Sequence, residues 1–134
     1  MNPFSKAREL ARSSDFKRAQ VGCVVVKKKE ILAEGVNTDK TSKWQEYYNF
    51  KSGKLRGYAK HSMHAEIRAL SKLINKHNVD DDMRRVHIYV YRELKDGTIA
   101  MARPCAACMA MIKDMGIKHI HYSTPDGYAH EVIC

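Results

Sequence analysis

The chain has 134 residues, of which 44% are hydrophobic, and a formal net charge of +9 at pH 7. This length predicts a single domain over 1–134, large enough to bury a core without disulfide bonds. No apolar run approaches the ~18–20 residues of a membrane-spanning helix. Residues 1–12 lack the apolar segment of a secretory signal. We therefore expect a cytoplasmic protein with no membrane partner.

The positive charge is concentrated in the first part of the chain. Residues 1–60 contain 14 basic and 6 acidic side chains, whereas residues 61–134 contain 10 and 9. A one-sided basic surface favours phosphate-bearing partners, either a nucleotide or a nucleic acid. A charge that serves only solubility would give the same count, so the count alone does not separate the two.

The first predicted elements are a helix and a β-hairpin. Apolar residues recur at helical spacing over 4–13. Residues 21–26 form a nearly continuous β-branched run, which is typical of a strand buried on both faces. A polar turn separates this run from a second predicted strand over 31–36. The connection 37–60 is long, and a weak capping pattern within it predicts a short helix over 42–50.

The second part of the chain alternates helices with strands. An amphipathic pattern predicts a helix over 63–77, and alternating apolar residues predict a strand over 86–91. A further helix is expected over 105–115, followed by a strand over 117–122. This order of elements predicts a mixed sheet with helices on its faces.

The C-terminal residues predict how the sheet ends. Twelve residues follow Tyr122, and a parallel crossover needs about a dozen residues before its next strand begins. Residues 124–127 have the composition of a turn. We therefore expect 128–133 to fold back as an antiparallel partner of 117–122. The prediction is a mixed five-stranded sheet with a C-terminal antiparallel hairpin.

Two cysteines and a histidine form a metal-ligand pattern. Cys105 and Cys108 are spaced three apart at a predicted helix start, where free backbone N–H groups favour thiolates. Alone, this pair fits either a redox dithiol or half of a metal site. His64 opens the other strongly predicted helix, and one imidazole with two thiolates supplies three of the four ligands that zinc prefers. The fourth position stays open for water, and Glu66 is placed to carry protons rather than to bind the metal.

His64-Ala65-Glu66 and Pro104-Cys105-Ala106-Ala107-Cys108 together match the H-x-E and P-C-x-x-C signature of zinc deaminases. On these motifs, and on the order of its elements, the chain resembles the cytidine deaminase-like superfamily. The resemblance implies a three-layer α/β/α sandwich, one Zn²⁺ per chain, and hydrolytic removal of an exocyclic amine from a base. It also implies that the Ala65 backbone N–H contacts the base.

Asn37 resembles the asparagine that ends the second strand in this superfamily and contacts the sugar or base. An ordinary turn asparagine is the alternative. The mechanism implied by the resemblance is attack of a zinc-bound hydroxide on C4 of cytosine, or on C6 of adenine, with Glu66 as the proton shuttle.

The connection 37–60 combines basic and aromatic side chains and leads directly to His64. Such a combination can bind a phosphate and stack on a base, so Trp44 and Lys60 are candidate substrate contacts. Packing on the core or on a partner subunit is the alternative for Trp44 and its aromatic neighbours. His61 is expected at the rim of the pocket, with a role in contacting the substrate.

The sequence leaves three functions open. The first is deamination of a free cytosine nucleoside or nucleotide, as in cytidine or deoxycytidylate deaminases. The second is deamination of cytosine or adenine within single-stranded RNA or DNA, because His64-Ala65-Glu66-Ile67 resembles the tRNA adenosine deaminases whereas the predicted final hairpin resembles free cytidine deaminases. The third, a non-catalytic zinc-stabilised binding module, is disfavoured by Glu66. The resemblance also implies a homo-oligomer.

One further pattern concerns His119 and His121. They alternate with Ile120, so both imidazoles are predicted on one face of the same strand. A second metal there is an alternative, and it is disfavoured because the sequence gives these histidines no partner pattern.

Overall fold

A computed structural model describes residues 2–15, 19–51, 62–76 and 83–133 of the chain. The helices and strands, in chain order, are α1 Pro3–Arg12, β1 Ala19–Lys27, β2 Glu30–Val36, α2 Lys43–Lys51, α3 Ala65–Lys76, β3 His87–Leu94, β4 Ile99–Ala100, α4 Ala106–Asp114, β5 His119–Thr124 and β6 Gly127–Val132. A short 3₁₀ turn at Met83–Arg85 precedes β3.

The strands form one mixed sheet in the order β2-β1-β3-β5-β6. Strand β1 pairs antiparallel with both β2 and β3, and β3 pairs parallel with β5. Helix α4 lies in the connection between these two parallel strands. Strand β6 pairs antiparallel with β5, which confirms the C-terminal hairpin predicted from the length of the tail.

The sheet has six strands rather than the predicted five. The additional strand, β4, has two residues and pairs with Arg92 and Glu93 of β3. A two-residue strand has no periodicity that a sequence pattern could detect, and its pairing depends on the turn at Asp96-Gly97 bringing it back against β3.

Helices cover the sheet on both faces and make three layers. On one face, Val24 and Val26 of β1 pack against Ala7 and Ala11 of α1. On the other face, Cys23 and Val25 of β1 join the larger core that contains α3 and α4. Burial on both faces explains why the sequence of β1 is almost continuously apolar rather than alternating. The three-layer arrangement agrees with the predicted fold.

Two glycines allow the helices to lie directly on the strands. A Cβ added to Gly22 would lie 2.0 Å from the carbonyl oxygen of Ala7 in α1. A Cβ added to Gly35 would lie 2.6 Å from the carbonyl oxygen of Ala65 and 2.6 Å from the backbone nitrogen of Ala69, both in α3. Because these contacts are with helix backbone, any side chain at either position would displace a helix.

None of the described helices is long and apolar enough to cross a lipid bilayer.

Replacing Gly35 with alanine is expected to displace the start of α3. Overpacking of this kind costs about 1–3 kcal/mol, and the displacement should also lower zinc affinity, because His64 immediately precedes that helix. Chemical denaturation and zinc content measure the two effects.

Gly97→Ala is the matched control. Gly97 has φ +87°, and a Cβ added to it would meet nothing within 4 Å, so alanine should lower stability there through backbone strain without changing zinc affinity. A Gly35→Ala variant that binds zinc as tightly as the unmodified protein would show that this close approach does not position the site.

Candidate active site

His64 is held in place by backbone pairing with the segment that follows β2. The Met63 N–H donates to the Lys40 carbonyl at 3.0 Å, and the Thr38 N–H donates to the Met63 carbonyl at 3.0 Å. Residues 62–63 therefore run against 38–41, and the chain turns into α3 directly after His64. The first turn of α3 then carries Glu66.

The two cysteines occupy the start of α4. Cys105 is the N-cap residue, with extended backbone at φ −69° and ψ 173°, and Cys108 lies in the first turn and is fully buried. The preceding loop is held by Ser123, whose carbonyl accepts from the Ala102 N–H at 2.9 Å. Its hydroxyl also donates to the Ala100 carbonyl at 2.8 Å. The loop and the helix therefore place both sulfur atoms on the same side of the start of α4.

The structure brings His64, Cys105 and Cys108 together, as predicted. Their candidate ligand atoms all lie within 4.8 Å of one another. His64 Nδ1 lies 3.3 Å from Cys108 Sγ and 3.5 Å from Cys105 Sγ. Bond lengths to tetrahedral zinc imply nitrogen–sulfur separations of about 3.5 Å. The donor types and their spacing therefore fit one zinc ion.

The electrostatics of the cysteines suit a cation. The Cys108 thiol donates to Cys105, which lowers the pKa of Cys105 to about 3 despite its burial. The same hydrogen bond, together with burial, raises the pKa of Cys108. Without a metal the pair thus holds one negative charge, and a divalent cation is what would stabilise the second thiolate.

Glu66 lies beside the ligand group and is only 5% exposed. Burial raises the pKa of its carboxyl group, and the charge of His64 opposes that shift. Glu66 is not part of the candidate ligand group, and its role as proton shuttle stays a prediction.

A cavity of about 250 Å³ opens next to the ligand group. His64, Ala65, Glu66 and Cys105 form one wall. The remaining wall comes from the start of β1, the end of β2, the end of β3 and the loop before α4, and its residues include Val21, Asn37, Arg92, Met101 and Arg103. The site therefore lies at the end of the sheet where the N-termini of α3 and α4 meet.

Asn37 lines this cavity, and its side chain also makes hydrogen bonds to other parts of the fold. Its Oδ1 accepts from the Val21 N–H at 2.9 Å and from the Ser14 hydroxyl at 2.6 Å. Its Nδ2 donates to the Ala19 carbonyl at 2.9 Å. Asn37 thus ties the start of β1 to the end of β2, and contact with a substrate remains a prediction for it.

The other predicted substrate contacts do not all lie at the cavity. Ala65 is fully buried at the cavity wall. Trp44 is 42% exposed and lines a separate groove with Lys43, Tyr47 and Tyr48, so it is not among the described residues of the cavity. His61 and Lys60 fall outside the described residues.

Three residues of the site escaped the sequence analysis. Arg92 and Arg103 lie at the cavity wall because β3 and the loop before α4 end there. Gln45 of α2 is fully buried, and its Oε1 accepts from the His64 N–H at 2.9 Å. Its Nε2 donates to Asn49 Oδ1 at 3.0 Å. A glutamine in the short helix predicted over 42–50 carries no signal of this role, because the role exists only once α2 packs against α3.

A mixed sheet with helices on both faces, a His/Cys/Cys group at two helix starts and an adjacent buried glutamate define the class of zinc-dependent deaminases. A sequence model described as the cytidine and deoxycytidylate deaminase zinc-binding region matches residues 2–124. The chain belongs to this family and is, by family, a zinc-dependent hydrolytic enzyme.

Solved structures show the same fold. The chain is similar to the dCMP deaminase of the cyanophage S-TIM5 in its apo form, with 24% identity, a TM-score of 0.60, and 91% of this chain and 79% of that chain covered. A structure of the same enzyme in complex with dCMP and dUMP matches with 24% identity and a TM-score of 0.57, covering 92% and 84% of the two chains.

A cytidine deaminase from Burkholderia pseudomallei matches with 15% identity and a TM-score of 0.61, and the match covers 97% of this chain and 89% of that one. No curated protein sequence matches the chain. Homo-oligomerisation stays a prediction of the sequence.

Replacing Gln45 with leucine is expected to lower zinc affinity about 10-fold, as loss of an outer partner of a metal ligand commonly does. Leucine retains most of the side-chain volume but leaves the His64 N–H without its acceptor. Competition with a chromogenic chelator measures the affinity. The matched control is Glu46→Leu at the neighbouring exposed position, which should bind zinc normally. Equal affinity in both variants would rule out this role for Gln45.

Proposed function

We propose that the chain is a hydrolytic deaminase of a cytosine nucleotide, of the cytidine and deoxycytidylate type. The observation that carries this proposal is the cavity in which the His64–Cys105–Cys108 group and Glu66 face a wall containing Arg92 and Arg103. The reaction exchanges the amine at C4 for oxygen from water and releases ammonia.

The size of the cavity supports a single small substrate. Its volume of about 250 Å³ lies near the lower end of small-molecule sites. A single-stranded nucleic acid would need a continuous groove for about 4 or more nucleotides. A cavity of this size suits one nucleotide better than a strand, and the free nucleotide is therefore the substrate class we propose.

The proposed chemistry divides between the metal and Glu66. Zinc held by His64, Cys105 and Cys108 would lower the pKa of water so that a hydroxide nucleophile is available near neutral pH. The Glu66 carboxylate would take a first proton from the water and deliver it to the ring nitrogen adjacent to C4. It would then take the second proton, from the hydroxyl now on C4, and pass it to the departing amine. Burial of Glu66 excludes bulk water from these transfers.

The two arginines are candidates for binding a phosphate. Arg103 is held by Glu131 of β6, with 2.7 Å between Nε and Oε2, so part of its charge is already neutralised. Arg92 is exposed at the cavity wall, and no carboxylate of the described residues lies within ion-pair distance of it. A guanidinium can bind two phosphate oxygens at once, and we propose Arg92 as the principal phosphate contact.

Glu66→Gln tests the proton shuttle. The amide keeps the shape of the side chain but cannot accept the proton, so turnover should fall by about 100-fold or more while one zinc per chain is retained. Ammonia release from dCMP and metal analysis measure the two quantities, and Glu46→Gln serves as the surface control. Turnover close to that of the unmodified protein would end the assignment of Glu66.

Arg92→Ala tests whether Arg92 binds the phosphate of the substrate. The KM for dCMP should rise about tenfold, which corresponds to roughly 1.4 kcal/mol, while the KM for deoxycytidine stays unchanged. Arg8→Ala, an exposed cation of α1 on the opposite face of the sheet, should change neither.

An equal effect of Arg92→Ala on the nucleoside and the nucleotide would contradict phosphate binding by Arg92. If the unmodified protein deaminates nucleosides but not nucleotides, the proposed nucleotide substrate is wrong, whereas the assignment to the deaminase class still holds.

A further inference from the structure

Four of the histidines lie together on the sheet face opposite the candidate active site. His87 of β3 pairs in register with His119 of β5, and His121 of β5 pairs with His130 of β6. The intervening residues Ile88 and Ile120 point into the core beneath α3 and α4. The alternation of side chains along the strands therefore gathers four imidazoles from three adjacent strands at one place.

The rings are close enough to contact one another. The centroids of His87 and His119 are 4.2 Å apart with 8° between the ring planes, and those of His121 and His130 are 4.1 Å apart with 6°. His87 Nδ1 lies 2.8 Å from His121 Nε2. His119 Nδ1 lies 3.1 Å from His130 Nε2.

Three of these residues bring ring nitrogens close enough together to be candidate ligands of one ion. One ring nitrogen from each of His87, His121 and His130 lies within 4.8 Å of the other two. We propose that His87, His121 and His130 bind a second divalent transition-metal ion, of the zinc or cobalt kind, separate from the ion at the cysteine site. Imidazole nitrogens suit these metals, whereas Mg²⁺ and Ca²⁺ require oxygen ligands that the three residues do not provide.

The surroundings of His87 and His121 lower the pKa of both imidazoles. Burial lowers the pKa of His87, with further contributions from His119 and His130. Burial and the neighbouring histidines lower the pKa of His121 to about 4. Tyr89 stacks on His121 with 4.1 Å between ring centroids and covers one side of the cluster.

The fourth histidine, His119, forms a hydrogen bond with His130. It is placed to orient that ring rather than to complete the ligand set. Ring orientation by an outer hydrogen-bond partner is a common arrangement around metal-binding histidines. Lys28, Lys29 and Arg85 line a groove beside His87. They are exposed, so solvent and salt screen their repulsion of a cation.

A metal at this place would stabilise the part of the sheet that has the least helix cover. Helix α1 packs mainly on β1 and β3, whereas Tyr128 and Val132 of β6 are 55% and 61% exposed. One ion would join β3, β5 and β6. Because the ion binds only where the three strands are assembled, it favours the folded state by mass action.

Cobalt added to the protein that already carries one zinc at the cysteine site tests the proposal. Cobalt binds imidazole sites well but ranks below zinc in affinity, so it should not displace the bound zinc. We expect one equivalent of Co²⁺ per chain, a higher unfolding midpoint, and no thiolate-to-cobalt charge-transfer band in the near ultraviolet. Failure to bind Co²⁺, or binding accompanied by that band and release of zinc, would overturn the proposal.

Variants identify the ligands. His121→Gln and His130→Gln should each abolish cobalt binding and the rise in unfolding midpoint, and His130 is exposed, so its replacement should leave the fold intact. Val132→Gln, an exposed position of β6 on the same face as His130, should retain one equivalent. Retention of cobalt by the first two variants, or its loss from Val132→Gln, would refute this ligand set. The readouts do not involve deamination, so they are independent of the proposed function.

Discussion

The close approach of α3 to β2 at Gly35 sets the position of the whole active site. A side chain at Gly35 would meet the backbone of Ala65 and Ala69, and those two residues are themselves small and fully buried. The helix can therefore rest directly on the strand, with its first turn at the end of β2. His64 immediately precedes that first turn and Glu66 lies on it. The distance of both side chains from the sheet, and hence from Cys105, therefore depends on the absence of a methyl group at Gly35.

Hydrogen bonds then fix the direction in which α3 begins. The strand-like pairing of 62–63 with 38–41 sets the entry of the chain, and Gln45 satisfies the His64 N–H. Helix α2 is in turn tied to the end of α4, because the Tyr48 hydroxyl donates to Asp114 at 3.0 Å and Lys51 pairs with the same carboxylate. The two helices that carry the metal ligands are thus linked through a third helix that contributes no ligand.

The sequence predicted the features that depend on local pattern, but it did not predict those that depend on packing. The His64 and Cys105–Cys108 motifs were readable because ligand chemistry restricts residue type and spacing, and the final hairpin followed from chain length alone. Gln45 was missed because its partner, the His64 N–H, is distant in the sequence. Arg92 was missed because the cavity wall is assembled from segments distant in the sequence. Of the four aromatic side chains of α2, only Tyr48 is buried, and it hydrogen-bonds to Asp114 in α4. Trp44 is exposed, and its contact with a substrate stays a prediction.

Strand β3 shows how one short element can serve two sites. Its side chains alternate between faces, so Val90 and Arg92 line the cavity while His87 and Tyr89 belong to the histidine cluster. Because the two sets share a backbone but no side chain, residues on one face can change without altering the ligands on the other. The backbone connection still matters: an ion joining β3 to β5 and β6 would stiffen the strand that presents Arg92, without touching the chemistry at Glu66.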